Sequence, residues 1–409
     1  MVSARFAGME EVVRYSYRLR PGSTVASGLE AEWHPCRFLW NEAVYQQKSG
    51  NRPTFGTLSK LLTEARSRSA WLREGSQVVQ QQMLRTYARA LDQPFTVKGR
   101  GRPGFKPRKK TRPALEYTKR GFSLRGGRLV LAKGVSIAVV WSRELPSEPS
   151  SVRVFRDSLG YWFASFVVRR TVDPTPVAEG GIGLDWGVRA TATATAPSFD
   201  LPYRGYRARC AAELARAQRK IARRRRGTRG PQSRGYQRAA REAIKLHKKA
   251  ARQTRHDARV WAKSVVDHHD LIAVEDFTPK FLAKSTMARK AADAAIGVTK
   301  TELIERATRA GRKVVLVRPA FTTMTCSRCF ARAKQHLELA ERTFRCHDCE
   351  YTACRDRNAA RVILAVAERG HTRVDDVRQS DHLLRAAGGL RSEREISRLQ
   401  AGEALISLL

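Results

Sequence analysis

The sequence predicts a multidomain α+β protein, in which a small β-barrel interrupted by a helical domain precedes an α/β domain with a metal-binding insertion. Three observations predict this order. Strand patterns near the N-terminus return after residue 112, with helical patterns between them. From Gly181 onward, short strands alternate with helices. Two C-x-x-C pairs, between Cys326 and Cys349, interrupt this second part.

The barrel is predicted from strands at both ends of the first part of the chain. Residues 12–19 alternate and are rich in aromatic side chains, and alternation returns at 129–141. Residues 152–168 are typical of a hairpin that turns at 157–160. We therefore assign 1–21 and 112–172 to the barrel.

Two apolar stripes at helical spacing predict two packed helices within a helical domain at 22–111. The stripes consist of Leu29, Trp33, Cys36, Trp40 and Val44, and of Val79, Met83, Tyr87 and Leu91. The basic segment 98–110 follows, and Pro103, Gly104 and Pro107 exclude a regular helix there.

The second part is predicted to begin after a linker rich in Pro and Gly at 171–181. Strands are predicted at 182–185, 188–196, 271–275 and 313–317, and helices at 301–310 and 358–368. The α/β domain is assigned to 181–319 and 354–370, with the insertion at 320–353. The C-terminal tail, 371–409, has no assignment.

The chain is strongly basic, with 78 Lys and Arg against 38 Asp and Glu and a net charge of +40. This charge argues against an ordinary metabolic enzyme and favours a polyanionic partner. Residues 204–259 contain 20 basic and three acidic residues and predict a helical hairpin broken at 227–235. A solvated surface is the plainer alternative to phosphate binding. The candidate nucleic-acid contacts are Arg223, Arg224, Arg225, Arg226, Lys248, Lys249 and Arg252.

Nothing in the sequence predicts a secreted or membrane protein. No stretch approaches the about 20 apolar residues that a membrane helix needs. The first 20 residues contain no apolar signal core. The seven cysteines, four of them in C-x-x-C pairs, favour metal binding in a reducing compartment.

The two C-x-x-C pairs predict a closed, structural zinc site. Cys326 and Cys329 are separated from Cys346 and Cys349 by 16 residues, which is a spacing typical of zinc ribbons. Four unrelated buried thiols or a redox pair are the alternatives. Cys354 is a possible fifth thiol, but closed sites use four. Cys36 and Cys210 are interpreted as packed side chains.

Three carboxylates are candidates for a second metal site. Asp185 ends a predicted strand among glycines, Glu275 ends an apolar strand, and Asp356 opens the helix after the cysteines. The plainer alternatives are a turn residue, a solvated strand end and a helix N-cap. Asp276 is predicted to point away from Glu275, because side chains alternate along a strand. In a basic chain, the three carboxylates are the oxygen ligands that two-metal phosphodiester hydrolysis needs.

These motifs together resemble the TnpB family of transposon proteins, to which the compact type V CRISPR effectors are related. The specific motifs are G-I-G-L-D-W-G from 181, I-A-V-E-D-F from 272, T-C-S-R-C from 325, F-R-C-H-D-C from 344 and D-R-N-A-A-R from 356. Residues 37–41, R-x-x-x-N, and the stretch from Gly101 to Lys106 resemble the family less specifically. Cys354 stands where the family commonly has Asp.

The resemblance implies an oligonucleotide-binding-type wedge barrel with an inserted helical recognition domain, followed by an RNase-H-like (RuvC) nuclease domain with an inserted zinc ribbon. It implies a Mg²⁺-dependent DNA endonuclease guided by RNA, with guide RNA and target DNA as partners. Asp185, Glu275 and Asp356 match the catalytic Mg²⁺ ligands, and the four paired cysteines match the zinc ligands. A prokaryotic, cytoplasmic protein that acts at the nucleoid follows from the same resemblance.

Several alternatives stay open at this point. The chain is consistent with a transposon protein or a CRISPR effector, and with an RNA-guided protein that binds DNA without cutting it. A zinc-ribbon RNA-binding protein with purely structural carboxylates is a third class. The sequence does not determine the oligomeric state.

Overall fold

The computed structural model describes residues 9–51, 53–97, 99–108, 110–172, 178–227, 231–277, 288–333 and 341–380. The chain divides into two compact units, Met1–Pro174 and Thr175–Leu409, which we call the first and the second unit. Within the described residues, no helix is long and apolar enough to cross a membrane.

The first unit contains a seven-stranded sheet that curls into a nearly closed barrel. Its strands are β1 (Met9–Arg20), β2 (Ala114–Thr118), β3 (Phe122–Arg125), β4 (Arg128–Leu131), β5 (Val135–Val140), β6 (Ser151–Arg156) and β7 (Trp162–Val172), in the order β2-β6-β7-β1-β5-β4-β3. Phe122 on the edge strand β3 lies 6.5 Å from the ring of Phe166 on the central strand β7, which shows the curvature. The predicted hairpin is confirmed, because Asp157 accepts hydrogen bonds from the backbone of Leu159 and Tyr161 at the β6–β7 turn.

Helices lie between β1 and β2, as the apolar stripes predict. They are α1 (Ser23–Lys48), α2 (Phe55–Arg68), α3 (Ala70–Glu74) and α4 (Gln77–Thr96). Every residue of both predicted stripes is buried in the core that α1 and α4 share with the barrel. Thr54 and Thr57 form a reciprocal capping pair at the start of α2. Local sequence signals thus set both the packing face and one helix start.

The basic segment after α4 is fixed to α1 by hydrogen bonds to its backbone. The Trp40 indole donates to the carbonyl of Gly104 at 2.9 Å. The Asn41 amide oxygen accepts from the backbone N–H of Lys106 at 2.7 Å. Arg37 donates to the carbonyl of Lys106 at 3.3 Å. The two less specific motifs of the first part therefore bind one another.

The second unit contains a five-stranded sheet flanked by helices. The strands are β8 (Gly181–Trp186), β9 (Ala190–Ala194), β10 (Leu201–Pro202), β11 (Leu271–Glu275) and β12 (Lys313–Val317), in the order β10-β9-β8-β11-β12. The strands β8, β11 and β12 are parallel, and β9 and β10 pair antiparallel. The helices are α5 (Tyr206–Arg209), α6 (Ala211–Arg224), α7 (Arg234–His268), α8 (Ala288–Ala294), α9 (Ile296–Arg309) and α10 (Arg355–Glu368). A small ladder, β13 (Thr343–Arg345) with β14 (Thr352–Cys354), precedes α10.

Alternate residues of β8 and β11 face different helices. Leu184 and Val274 pack with α7 and α9, whereas Ala273 packs with α10. Gly183 allows α10 to approach closely, because a Cβ at this position would lie 2.0 Å from the carbonyl oxygen of Ala360. The close packing of α10 on this face of the sheet therefore requires glycine at position 183.

The structure differs from several of the predicted elements, and the strand predicted at 188–196 spans only Ala190–Ala194. The helix predicted at 358–368 begins at Arg355, and the one predicted at 301–310 begins at Ile296. The predicted linker 171–181 is shorter, because β7 continues to Val172; residues 173–177 lie outside the described residues. In the unassigned tail, Val374 and Val377 are buried with α10, and 381–409 lie outside the described residues.

Candidate active site and metal centre

Two buried carboxylates lie side by side on adjacent parallel strands. Leu184 of β8 is aligned with Val274 of β11, so Asp185 and Glu275 follow at the same level. Because side chains alternate along a strand, both face the side on which Gly183 meets α10. Asp185 is 7% exposed and Glu275 is 6% exposed. The solvated strand end that could have explained Glu275 is therefore excluded.

Asp356 lies in the first turn of α10, where its negative charge acts on Asp185. The N-cap of α10 is Cys354, which makes no side-chain capping bond, so the alternative N-cap interpretation of Asp356 is wrong. Arg342 Nη1 lies 3.7 Å from Asp356 Oδ1. The charges of Glu275 and Asp356 both act on Asp185, although 171 positions separate Asp185 from Asp356.

Burial raises the pKa of both strand carboxyl groups, Asp185 and Glu275. The pKa of Asp185 is raised well above its usual value by burial and then by the negative charges of Glu275 and Asp356; Arg355 opposes this effect. Burial raises the pKa of Glu275 to about 7, against a backbone hydrogen bond from Trp186 and the charge of Lys300. Clustered buried carboxylates are costly unless a cation compensates them. The oxygen donors fit hard divalent cations such as Mg²⁺.

Asp276 faces the opposite side of the sheet, as strand alternation predicts. Its carboxylate accepts a hydrogen bond from Lys300 Nζ at 2.7 Å. Lys300 belongs to α9, which packs on the face away from α10. Asp276 consequently lies on the opposite face of the sheet from Glu275, although its negative charge adds to the effect of burial in raising the pKa of Glu275.

The four paired cysteines form one compact cluster. Their sulfur atoms all lie within 4.8 Å of one another, with 3.7 Å between Cys326 Sγ and Cys349 Sγ and 3.6 Å between Cys329 Sγ and Cys346 Sγ. A tetrahedral zinc site with Zn–S bonds of about 2.3 Å requires about 3.8 Å between sulfurs. The four sulfur atoms are therefore close enough together to fit one zinc ion.

The other cysteines lie outside this cluster. Cys354 is exposed, Cys36 is buried in α1, and the half-buried Cys210 Sγ lies 3.4 Å from the carbonyl of Arg207. The prediction of four ligands rather than five agrees with this arrangement.

Comparisons with known proteins agree with the motifs. The family model described as "Probable transposase" matches residues 165–286, and the one described as "Cas12f1-like, TNB domain" matches residues 299–363. A Streptomyces pristinaespiralis protein named "Putative RNA-guided DNA endonuclease" is 31% identical over 371 residues, which cover 87% of this chain and 90% of that protein. The chain belongs to the TnpB family.

Further similarities extend over most of this TnpB-family chain. The Escherichia coli K12 protein named "Putative RNA-guided DNA endonuclease InsQ" is 27% identical over 384 residues, which cover 87% of this chain and 92% of that protein. A solved structure described as a Cas12f1-sgRNA-target DNA complex contains a chain of similar fold. It is 13% identical, with a TM-score of 0.52, and the match covers 83% of this chain and 82% of that one.

Asn358 connects the cysteine cluster to α10, and sequence reasoning gave it no role. Its amide nitrogen donates to the carbonyl of Thr325 at 2.7 Å, and its amide oxygen accepts from the backbone N–H of Ser327 at 2.9 Å. The side chain is completely buried. The sequence offers one signal for this residue. Asn358 is a polar side chain at the start of an apolar helical segment, two residues after Asp356.

The predicted basic hairpin consists of α6 and α7. The first of these helices ends at Arg224 and the second begins at Arg234, whereas the predicted break is 227–235; residues 228–230 lie outside the described residues. Arg223, Arg225 and Arg226 are exposed. Arg224 is exposed as well, but its guanidinium also donates to the carbonyl of Gly235 at 3.0 Å and so links the end of α6 to the start of α7. On α7, Lys249 and Arg252 are exposed and Lys248 is half-buried. Most of the candidate contacts thus lie at the surface and outside the apolar cores.

Proposed function

We propose that this TnpB-family chain is a transposon-associated, RNA-guided DNA endonuclease that hydrolyses phosphodiester bonds in its second unit. The observation that carries the proposal is the cluster of Asp185, Glu275 and Asp356, three acidic side chains from two strands and one helix in a chain of net charge +40. The names of the two curated relatives support RNA guidance and DNA cleavage.

The acidic cluster would hold Mg²⁺ through the oxygens of Asp185, Glu275 and Asp356. When bound, such cations supply an activated water and stabilise the leaving oxygen. The chain itself keeps the ligands in place. The Trp186 indole donates to the carbonyl of Glu275 at 3.2 Å, and the N-terminal end of α10 favours the negative charge of Asp356.

The remaining assignments follow the family resemblance. The four clustered cysteines would hold one structural zinc. The barrel would be the wedge domain, the helices between β1 and β2 the recognition domain, and the second unit the RuvC-type nuclease with its zinc ribbon. The exposed cations of α6 and α7 would bind phosphates of guide RNA or target DNA without reading sequence.

Cleavage of a plasmid carrying the matching target, with the cognate guide RNA and Mg²⁺, tests the catalytic assignment. Asp185→Asn, Glu275→Gln and Asp356→Asn should each lower the cleavage rate by more than about 100-fold, because each removes an ionic metal ligand. Affinity for guide RNA and target should change by less than about 1 kcal/mol, since no basic surface is altered.

The matched control is Asp276→Asn, which removes a carboxylate one residue from Glu275 but on the opposite face of the sheet. It should cut at close to the parent rate. Cys354→Asp, which restores the residue common in the family, should also leave cleavage intact. Cleavage at the parent rate by all three cluster variants would reject the nuclease site and favour an RNA-guided protein that binds without cutting.

A further inference from the structure

Asn358 makes two buried contacts that place the cysteine cluster and the acidic cluster on one rigid piece of structure. We propose that Asn358 is a positioning residue, through which a metal ion held by the cysteines sets the affinity of the acidic cluster for its divalent cation. This inference rests on the proposed nuclease function.

The first step is the contact with the ribbon. Thr325 and Ser327 flank the ligand Cys326, and Asn358 binds the backbone on both sides of it. Cys326 is itself completely buried, and the backbone N–H of Arg328 points to its sulfur at 3.4 Å. A metal that fixes the Cys326 sulfur therefore fixes the two backbone groups that Asn358 binds.

The second step is the position of Asn358 on α10. It lies two residues after Asp356, so both side chains belong to the first turns of one helix. Within the described residues, the same helix packs on β8 and β11, which carry Asp185 and Glu275. A shift of the helix start would move Asp356 relative to the two strand carboxylates.

The segment that contains β13 and β14 also contacts the start of α10. The backbone N–H of Arg355 donates to the carbonyl of Arg342 at 2.8 Å, and β13 pairs with β14 up to Cys354. Arg342 also lies beside Asp356. The segment around Cys326 thus contacts the first turns of α10 through Asn358, and the segment around Arg342 contacts them through the backbone of Arg355.

The direction of the effect follows from this geometry. Asn358 touches neither the acidic carboxylates nor a basic surface in the contacts described for it. Its removal should loosen Asp356 as a cation ligand while leaving nucleic-acid binding unchanged. The expected signature is a higher Mg²⁺ requirement, with a maximal rate that excess Mg²⁺ restores.

The experiment compares the parent with Asn358→Ala, Asn358→Asp and Asn41→Ala in the full chain bound to guide RNA. Plasmid cleavage is measured across a Mg²⁺ titration, and zinc release to a chromogenic chelator is measured separately. Asn358→Ala should raise the Mg²⁺ concentration for half-maximal rate by about 10-fold or more and release zinc faster. Asn358→Asp keeps the acceptor for Ser327 but loses the donor to Thr325. Its increase in the Mg²⁺ concentration for half-maximal rate should therefore be smaller than that of Asn358→Ala.

Asn41→Ala is the matched control, because Asn41 binds backbone of the first unit in the same way, through Lys106. Its Mg²⁺ midpoint should equal that of the parent. A merely structural role of Asn358 predicts equal midpoints for all four proteins and only a lower fraction of active enzyme. That result would overturn the inference.

Two further measurements keep the test decisive. Chelation of zinc from the parent should raise the Mg²⁺ midpoint even if the Asn358 variants do not fold, and an unchanged midpoint would reject the coupling. Mn²⁺ binding, followed by electron paramagnetic resonance, does not require cleavage. If the parent neither binds Mn²⁺ nor cuts, the proposed function itself is rejected. If the parent does both and the Asn358 variants have the same Mg²⁺ requirement as the parent, only the role of Asn358 is rejected.

Discussion

Lys106 is a half-buried cation whose ammonium group lies against aromatic rings. Its Nζ is 3.1 Å from the ring centroid of Trp40 and 5.8 Å from that of Trp33. Cation–π contacts favour the charged form, but burial and the nearby charge of Arg153 lower the pKa of Lys106 to about 7, while Cys36 opposes this. Lys106 therefore binds its proton more weakly in the folded first unit than in the unfolded chain.

The pH dependence of stability should report this lysine. Between pH 7 and about 10.5 the unfolded state keeps the proton while the folded state has lost it, so the contribution of Lys106 to stability increases as pH rises through this window. Below pH 7 both states are protonated and the contribution is constant. Lys106→Met should abolish the increase, as measured by urea unfolding of the first unit at several pH values.

Lys133→Met is the control, since Lys133 is exposed in the same unit. It should leave the pH dependence of the parent unchanged. An equal increase in stability with pH in Lys106→Met and in the parent would show that Lys106 is not the titrating group.

At the scale of elements, the hairpin of α6 and α7 combines two kinds of arginine. All four arginines from Arg223 to Arg226 are exposed, and Arg224 also links α6 to α7 by donating to the carbonyl of Gly235. The four consecutive arginines are identical in sequence, but Arg224 makes a hydrogen bond to the backbone of Gly235 in addition to carrying a surface charge. A variant that removes all four would mix a loss of charge with a loss of the turn.

The exposed arginines should contribute to nucleic-acid binding through phosphates. Replacement of Arg223, Arg225 and Arg226 by Gln should weaken binding for every sequence tested. Each lost phosphate contact should reduce the slope of log affinity against log salt by about one unit. Fluorescence anisotropy with labelled RNA at several salt concentrations measures the slope.

The charge-preserving replacement of the same three residues by Lys is the control and should retain the parent slope. An unchanged slope in the Gln variant would mean that these side chains are solvated and do not contact phosphate.

The element α10 shows how far sequence prediction extended. Its apolar periodicity predicts the helix, but the start lies three residues before the predicted one, since helix ends depend on caps that periodicity does not reveal. The strands β11 and β12 agree with their predicted bounds, because short β-branched runs between polar residues define both ends. The hydrogen bonds of Asn358 depend on contacts across 31 and 33 positions and were not predictable from local pattern.

At the scale of the whole molecule, the described residues of each unit form apolar core clusters. The core of the first unit contains residues from Tyr17 to Val168, and the three core clusters of the second unit contain residues from Ile182 to Val377. The four cysteines contribute to one of the latter clusters, which is the smallest of them. A cluster of that size needs a metal or a similar constraint to hold its loops.

Loss of one cysteine should therefore affect the two units differently. Cys346→Ser should reduce the zinc content below one per chain and lower the melting temperature of the second unit by more than about 5 °C, because the metal contributes folding free energy. The melting of the first unit should stay unchanged. Elemental analysis and calorimetry with limited proteolysis measure these effects.

Cys354→Ser is the matched control, since Cys354 is exposed and outside the cluster. It should keep the zinc content and both transitions of the parent. Absence of zinc from freshly purified parent protein would reject the zinc assignment altogether.

The amino-acid sequence by itself determined the elements, the charge and the chemically distinctive residues. Periodicity placed the helical stripes of α1 and α4, and the fixed spacing of the C-x-x-C pairs was enough to predict which four cysteines form one cluster. These properties are local, because they depend on residues a few positions apart on one segment of chain.

Tertiary structure decided which side chains meet. The register of β8 with β11 sets Asp185 beside Glu275, and the close approach of α10 at Gly183 brings Asp356 to them. The same packing sends Asp276 to Lys300 and gives Asn358 its two partners. Such contacts depend on the relative positions of elements distant along the chain, and no local pattern encodes those positions.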